Sequence, residues 1–548
     1  MDLALFGLSD IIISFKATPL ANFFAILITF SFILITLILK KYNLSKSFYA
    51  WFILLTASLY FIVYAQDYLL FFIGWEIMSI STYFLLSYTL SKEILHKYII
   101  FAMASALSLF IAILILYSSN HSFLYIDAKS SFEHMNNIKQ IIFIILILFS
   151  IFIKLGTIGF HYWLIDTYEQ SHHIFTPYLS AILSKMGIYA LIILVSYVTQ
   201  LSLVLAIIGV ITSIIATFKA INEDSIKRLL AYSSIAQLGY IVTVLGVADG
   251  MGAALYHSLI HTVIKLLLFI NIAGIIYITQ KDKFSSLGGL IYKTPQSFVL
   301  LLIGIIALAG MPPLGGFSSK FMIYTSLLDS KYLLILSAVM FSSASAFLYI
   351  YKLIYGIYLG HPTNKNLEST KEVPLSFLFP QYILALILVT LGTFPSIIIP
   401  YINTILSDLN LSLIPFENIS TLITPFAQFN GLVIISAFTL IFIVILLVFI
   451  NIKSKAKNVK DRFDIAYCAE EPTQSTHLHY GFSIGKELKR VGFINIILKN
   501  SVKYFYDYIT KQTLFLSEIF RKIYSGNLSI NFNITIIFLI ILLWGALK

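Results

Sequence analysis

The segment "ALYHSLIHTVIKLLLF", residues 254–269, sets His257, His261 and Lys265 among apolar neighbours. At about 100° per residue, a helix gathers these three into an arc of about 80°, at steps of about 6 Å. Imidazoles and an amine spaced in this way can pass protons along a line if waters bridge the gaps. Four more charges interrupt apolar runs: Glu76 in "FFIGWEIMSIS", Lys154 in "IFIKLGTIGFHYW", Lys185 in "AILSKMGIYAL" and Lys320 in "GFSSKFMIY". A charge at the centre of a bilayer costs about 3 kcal/mol even on the mildest insertion scale, so this many placements point to an ion path. Each residue also has a plainer reading. Lys185 and Lys320 could snorkel to an interface, and Glu76 could be a structural partner to one lysine. A metal site on His257 and His261 lacks Asp, Glu or Cys partners nearby. Haem ligation fits no better, because two histidines four apart on one helix cannot reach opposite faces of one iron.

The elements that carry these residues must be membrane spans. Of 548 residues, 59% are hydrophobic and 11% charged, against about 25% charged in soluble domains. That polar fraction cannot cover a soluble core of this size, so the composition implies a multi-pass membrane protein with the lipid bilayer as its surroundings. Net charge is +11, which reads as orientation against anionic lipid and not as nucleic-acid binding. The lone Cys468 permits no internal disulfide.

The pattern gives an all-α fold of about fourteen spans of about 20 residues. Their limits fall near 20–39, 48–65, 68–90, 98–117, 140–158, 177–198, 201–218, 229–247, 252–278, 298–328, 332–358, 376–395, 429–452 and 529–547. Basic residues collect on alternate turns (Lys40 and Lys41; Lys92 and Lys97; Lys219, Lys227 and Arg228; Lys281 and Lys283), with Lys129, Lys139 and Lys331 as exceptions. The basic side is therefore expected in the cytoplasm, with both termini outward. "KLGTIG" (154–159) interrupts the fifth span and "AGMPPLGG" (309–316) the tenth, each beside a lysine. Such breaks in oppositely oriented halves mark inverted-repeat transporters, and irregular backbone in a membrane is tolerated where it lines a cavity or is buried. Spans 2–6 and 7–11 would be two inverted five-helix repeats, each with a broken helix. Residues 454–528 are polar, then amphipathic: Val502, Phe505, Ile509, Leu516, Ile519 and Phe520 recur at helical spacing. This lateral helix could lie on lipid headgroups or be clamped against neighbouring helices.

"NEDSIKRLLAYSSIAQLGYIVTVLG", "YHSLIHTVIKLLLFINIAG" and "LAGMPPLGGFSSKF" come in that order. Together they resemble the proton-translocating, antiporter-like subunits of respiratory complex I, energy-converting nickel–iron hydrogenases and multisubunit Na+/H+ antiporters. The resemblance covers about residues 50–360. It implies that Glu76 is the glutamate of the first repeat and Lys154 the lysine of its broken helix. Lys185 would be the lysine or histidine of the next helix, His257, His261 and Lys265 the connecting row, and Lys320 the lysine of the second break. All seven would serve proton translocation. "WLIDT" departs from the family's "WLPDA" at Ile165, and Gly159 stands where proline is usual. "AYCAEEPTQSTHLHYGFSIGKELKRVGF", followed by a lateral helix and a last span, is similar to the hydrogenase-type large subunits.

The resemblance then implies a subunit without redox chemistry of its own, in a redox-driven complex of the cytoplasmic membrane. No cofactor and no metal is expected on this chain, which has one cysteine and no dinucleotide fingerprint. Electron transfer would belong to hydrophilic partners carrying iron–sulfur clusters, docked on other membrane subunits of a hydrogenase or complex I-like assembly. Competing readings are a subunit of a multisubunit Na+/H+ antiporter and a membrane oxidoreductase that binds haem or quinone itself. The expected division is an N-terminal span (1–47), first repeat (48–198), second repeat (199–360), two further spans (361–453), the polar segment with the lateral helix (454–528) and a final span (529–548).

Overall fold

A computed structural model of the chain describes residues 3–8, 11–359, 370–451, 487–499 and 501–523. It falls into two units, Met1–Ile497 and Leu498–Lys548.

The first unit is helical. Two strands, β1 (Leu3–Leu8) and β2 (Ile11–Phe15), pair antiparallel ahead of α1 (Pro19–Leu39), α2 (Lys46–Tyr64), α3 (Tyr68–Leu86) and α4 (Lys92–Asn120). The short α5 (Ala128–Glu133) precedes α6 (Asn137–Leu155), and α7 (Tyr162–Gln170) follows a break. A single turn, α8 (Thr176–Tyr178), passes through a π-helical stretch, Leu179–Leu183, into α9 (Ser184–Tyr197). Then come α10 (Ser202–Asn222), α11 (Ile226–Leu245) and α12 (Met251–Thr279). After a second broken pair, α13 (Pro295–Ala309) and α14 (Gly315–Asp329), the chain runs on through α15 (Leu333–Ile354), α16 (Leu375–Thr393) and the short α17 (Ile399–Asp408). A small ribbon, β3 (Thr421–Ile423) with β4 (Gln428–Asn430), leads into α18 (Gly431–Asn451).

Local chemistry fixes many of the helix starts. Thr18, Ser45, Asp67, Asn136 and Ser225 each accept a hydrogen bond from the backbone N–H three residues on, occupying a donor that the helix cannot. Among the described residues, 12 helices are long and apolar enough to cross a membrane. The tenth expected span is instead two half-length helices, α13 and α14, so thirteen of the fourteen spans have a counterpart and the one at 529–547 lies outside the described residues. The fifth, expected at 140–158, is α6 up to the break, and α7 continues beyond the expected limit. The two ribbons and α17 had no sequence signal.

Burial sorts the helices by position. Nearly every residue of α11 and α12 is buried, whereas α18 is exposed almost throughout. Large apolar side chains such as Ile26, Ile53, Ile100, Leu107, Ile145 and Leu334 face outward. In water this surface would aggregate; in lipid it is the solvent-facing side. Glycines let α10 and α11 touch at the backbone, since a Cβ on Gly209 would come within 2.5 Å of Thr243 N, and one on Gly239 within 2.7 Å of Gly209 O.

In the second unit, Ser501–Ile523 forms one continuous helix. Phe505, Ile509, Leu516, Ile519 and Phe520 on it are exposed. The Cys468 motif lies outside the described residues.

Candidate functional site

Charged side chains enter the centre of the first unit from α6, α9, α12 and α14. Lys154, Lys185, His257, His261, Lys265 and Lys320 are all buried, and Glu76 on α3 is half-buried. None of the six has reached the surface, so snorkelling does not describe Lys185 or Lys320.

The closest contact lies between helices the sequence did not connect. Lys185 Nζ sits 2.8 Å from His261 Nδ1, from α9 to α12. His261 and His257 then stand with their rings nearly parallel, at 13° and 6.2 Å between centroids. That separation is the rise of one helical turn expected for positions four apart. His257 reaches α14 through Ser319 Oγ at 3.0 Å, and α11 through Gln237 Oε1 at 3.1 Å. Next to Ser319 in the chain, Lys320 donates to Ala309 O at 2.8 Å and to Ser343 Oγ at 2.7 Å. Its ammonium lies 5.6 Å from the ring centre of Tyr240, which packs in turn against His257 at 6.3 Å. Lys185, His261, His257 and Lys320 are thus brought into one buried string across three helices, α9, α12 and α14.

Lys265 departs from that string. It turns to α11, donating to Ser233 Oγ at 2.6 Å and Leu230 O at 3.2 Å. Glu76 and Lys154 are near enough to act on each other electrostatically, but the ammonium donates to Ser79 Oγ at 2.8 Å, one turn beyond Glu76. Among the described residues no hydrogen bond or ion pair joins Lys154 to Lys185.

The two breaks are built alike. At the first, Gly156 (φ +64°) donates to Ile153 O while Thr157 donates to Phe152 O; at the second, Gly310 (φ +76°) donates to Ala307 O and Met311 to Ile306 O. Each half-helix thereby ends in a left-handed glycine cap, leaving its negative dipole end beside a lysine. A Cβ on Gly310 would come within 2.4 Å of Lys320 Cδ, so glycine is needed twice over there.

Sequence reasoning missed several members. His161, in "GFHYW", is buried at the first break with Nδ1 unpartnered, as is Thr157 Oγ1, a pair of atoms suited to ordered water. Asp166 on α7 is held by Lys97 of α4 and by Arg228 of α11 at 2.8 Å; Arg228 also binds Glu169 at 2.9 Å and Glu223 at 2.8 Å. Ser79, Ser233, Ser319 and Ser343 solvate the buried ammonium or imidazole groups. Their only signal was the recurrence of serine inside apolar runs.

A family model described as NADH:quinone oxidoreductase/Mrp antiporter, transmembrane, matches residues 65–346, just over half of the chain and all seven charged positions. The chain belongs to this family. A Na+/H+ antiporter subunit of Bacillus subtilis is 28% identical over 389 residues, 64% of this chain and 48% of that protein. The chain therefore spans about half the length of the antiporter relatives it matches. NADH-quinone oxidoreductase subunit N of Rickettsia bellii is 28% identical over 381 residues, 65% of this chain and 81% of that one. Among solved structures, the membrane-bound sulfane sulfur reductase, an archaeal respiratory membrane complex, contains a chain with a TM-score of 0.89 and 26% identity. The match covers 99% of this antiporter-like chain and 91% of that one.

Proposed function

We propose that this antiporter-like chain translocates protons or Na+ as the non-redox membrane subunit of a redox-driven complex in the cytoplasmic membrane. Electrons would move in partner subunits carrying iron–sulfur clusters, and their energy would reach this chain through other membrane subunits. The observation that carries the reading is the direct Lys185–His261 contact within the string from α9 to α14. Buried amine and imidazole groups a few ångströms apart exchange protons readily when water or hydroxyls complete the path. Glu76, Lys154, Lys185, His257, His261, Lys265 and Lys320 are the proposed translocation residues, with Glu76 tuning Lys154 through space.

We read 48–198 and 199–360 as the two inverted repeats. Support comes from the broken element standing fourth of five in both, and from the third being 29 residues long in both, α4 and α12. The near full-length likeness to a chain of an archaeal respiratory complex favours a redox-driven assembly, hydrogenase-like or complex I-like. The Bacillus relative keeps a multisubunit Na+/H+ antiporter as the second reading. A haem site is disfavoured by His257, which spends both ring nitrogens on Gln237 and Ser319.

The test uses vesicles in which the assembled complex is driven by its electron donor. Glu76→Gln, Lys154→Ala and Lys320→Ala should each abolish or severely reduce ion uptake while leaving the amount of assembled complex unchanged. Wild-type uptake in all three would overturn the proposal. Co-purifying proteins decide between the readings: iron–sulfur absorbance supports the redox-driven complex, and its absence from an active assembly supports the antiporter.

A further inference from the structure

His257 is held from two sides by side chains of different chemistry. Its Nε2 faces the carboxamide oxygen of Gln237 on α11, and its Nδ1 faces the hydroxyl of Ser319 on α14. Gln237 is 1% exposed and Ser319 0%. A carboxamide oxygen only accepts, so the ring nitrogen opposite it must carry the hydrogen. A serine hydroxyl does either, and this one has a second option: Ser319 Oγ lies 3.1 Å from Gly316 O.

We propose that Gln237 is a positioning residue that fixes where His257 exchanges its proton: it holds Nε2–H, leaving Nδ1, towards the second broken helix, as the nitrogen that gains and loses. This rests on reading the string as a proton path. Both charge states are then fully bonded. In the neutral ring, Nε2–H donates to Gln237 and Nδ1 accepts the Ser319 hydroxyl hydrogen. When a proton is added at Nδ1, that N–H donates to Ser319 Oγ, whose hydroxyl turns to Gly316 O. No bond between heavy atoms is made or broken, and Nε2 keeps its hydrogen throughout. His257 therefore exchanges on the side of Ser319 and Lys320, whereas a ring free to choose its tautomer would exchange on either.

The far side of the amide has its own feature. Gln237 Nε2 is buried with no close hydrogen bond, and its neighbour there is the buried hydroxyl of Tyr349 on α15. The oxygen and nitrogen of a carboxamide are nearly the same size, and a phenol can donate or accept. A half-turn of the amide would aim its N–H at the ring, move the ring hydrogen to Nδ1 and close that nitrogen to incoming protons, with Tyr349 able to partner either orientation. The orientation of one amide is thus the variable on which the exchange site depends.

The experiment labels histidine with 15N in the assembled complex in its membrane and assigns the His257 signals by their loss in His257→Ala. The expected result is hydrogen on Nε2 in the wild type and a mixture of both tautomers in Gln237→Met, which keeps the length but offers no oxygen. Ion uptake by Gln237→Met should fall about tenfold or more, the scale known for a metal-bound histidine that loses the partner orienting it. Its solvent deuterium isotope effect should rise, which a purely structural lesion would not cause. Hydrogen on Nδ1 in the wild type, or a tautomer that ignores Gln237→Met, overturns the inference. If the tautomers behave as expected while Lys154→Ala and Lys320→Ala pump normally, the assignment of His257 stands and the translocation reading falls.

Discussion

A buried lysine facing a histidine ring nitrogen at 2.8 Å leaves one lone pair to serve both groups. If Lys185 is charged it donates to Nδ1; if it is neutral, the same hydrogen can sit on the ring. The pair is thus able to store a proton between α9 and α12, and the other ring nitrogen of His261 is buried with no protein partner. His261→Gln still offers an oxygen to the ammonium. His261→Leu leaves the buried Lys185 amine without its imidazole partner, with only Ser180 O still in reach, a loss of about 1–3 kcal/mol for a buried polar group left short of a partner. Uptake should therefore fall further in His261→Leu than in His261→Gln. Vesicle assays finding both fully active would remove His261 from the path. His257→Ala should add little to His261→Ala, since links of one chain fail as a unit; additive losses would mean separate roles. The residue types and the one-turn spacing of His257 and His261 were legible in sequence. Their partners Lys185, Gln237 and Ser319 were not tied to them, because contacts between helices depend on packing that periodicity does not encode.

The broken helices were legible as elements, since glycine and proline inside apolar runs leave few alternatives. What lay hidden was how each break is held. At the second, Lys320 reaches back to Ala309 O, so the side chain of α14 closes the end of α13. Gly310→Ala would force a left-handed alanine, costing about 1–2 kcal/mol, and push its methyl into the lysine stem. Transport should drop together with heat stability of the complex, and Gly310→Asn, which tolerates that backbone better, should retain more of the heat stability. Equal behaviour of the two variants would show that backbone geometry is not the constraint. At the first break, α7 is fastened at Asp166 by Lys97 and Arg228, about a quarter exposed or less. Asp166→Asn should lower stability by about 1–3 kcal/mol, because Arg228 keeps Glu169 and Glu223 whereas Lys97 loses its only ion-pair partner among the described residues. Thermal inactivation of Asp166→Asn at the wild-type rate would make the network incidental. The acid itself was visible in "WLIDT"; its role was not, as its partners lie 69 and 62 positions away.

At the scale of the whole molecule, composition alone placed the chain in a membrane, and the burial of α11 and α12 set against the exposure of α18 agrees with it. Small polar-edged pieces such as the two ribbons escaped, because segments of three to six residues carry too few positions for a period to emerge. The amphipathic helix Ser501–Ile523 was legible from its spacing, and its apolar face is exposed: Phe505 58%, Leu516 52% and Phe520 67%. A stripe of this kind must meet lipid or protein. Insertion of the first unit depends on its own long apolar helices, each able to cross a bilayer without help from a distant segment. If the stripe is a docking face, as a complex of several proteins requires of some surface, deleting residues 501–523 should leave the protein in the membrane while sharply reducing its recovery with partner subunits. If the stripe meets only headgroups, the complex should purify intact and pump at the wild-type rate without it. Replacing Phe505, Leu516 and Phe520 together by Ser separates the two causes more gently, since it keeps the length of the chain and removes only the apolar contacts. Loss of assembly in that triple variant, with membrane content unchanged, is the outcome expected of a helix that grips protein.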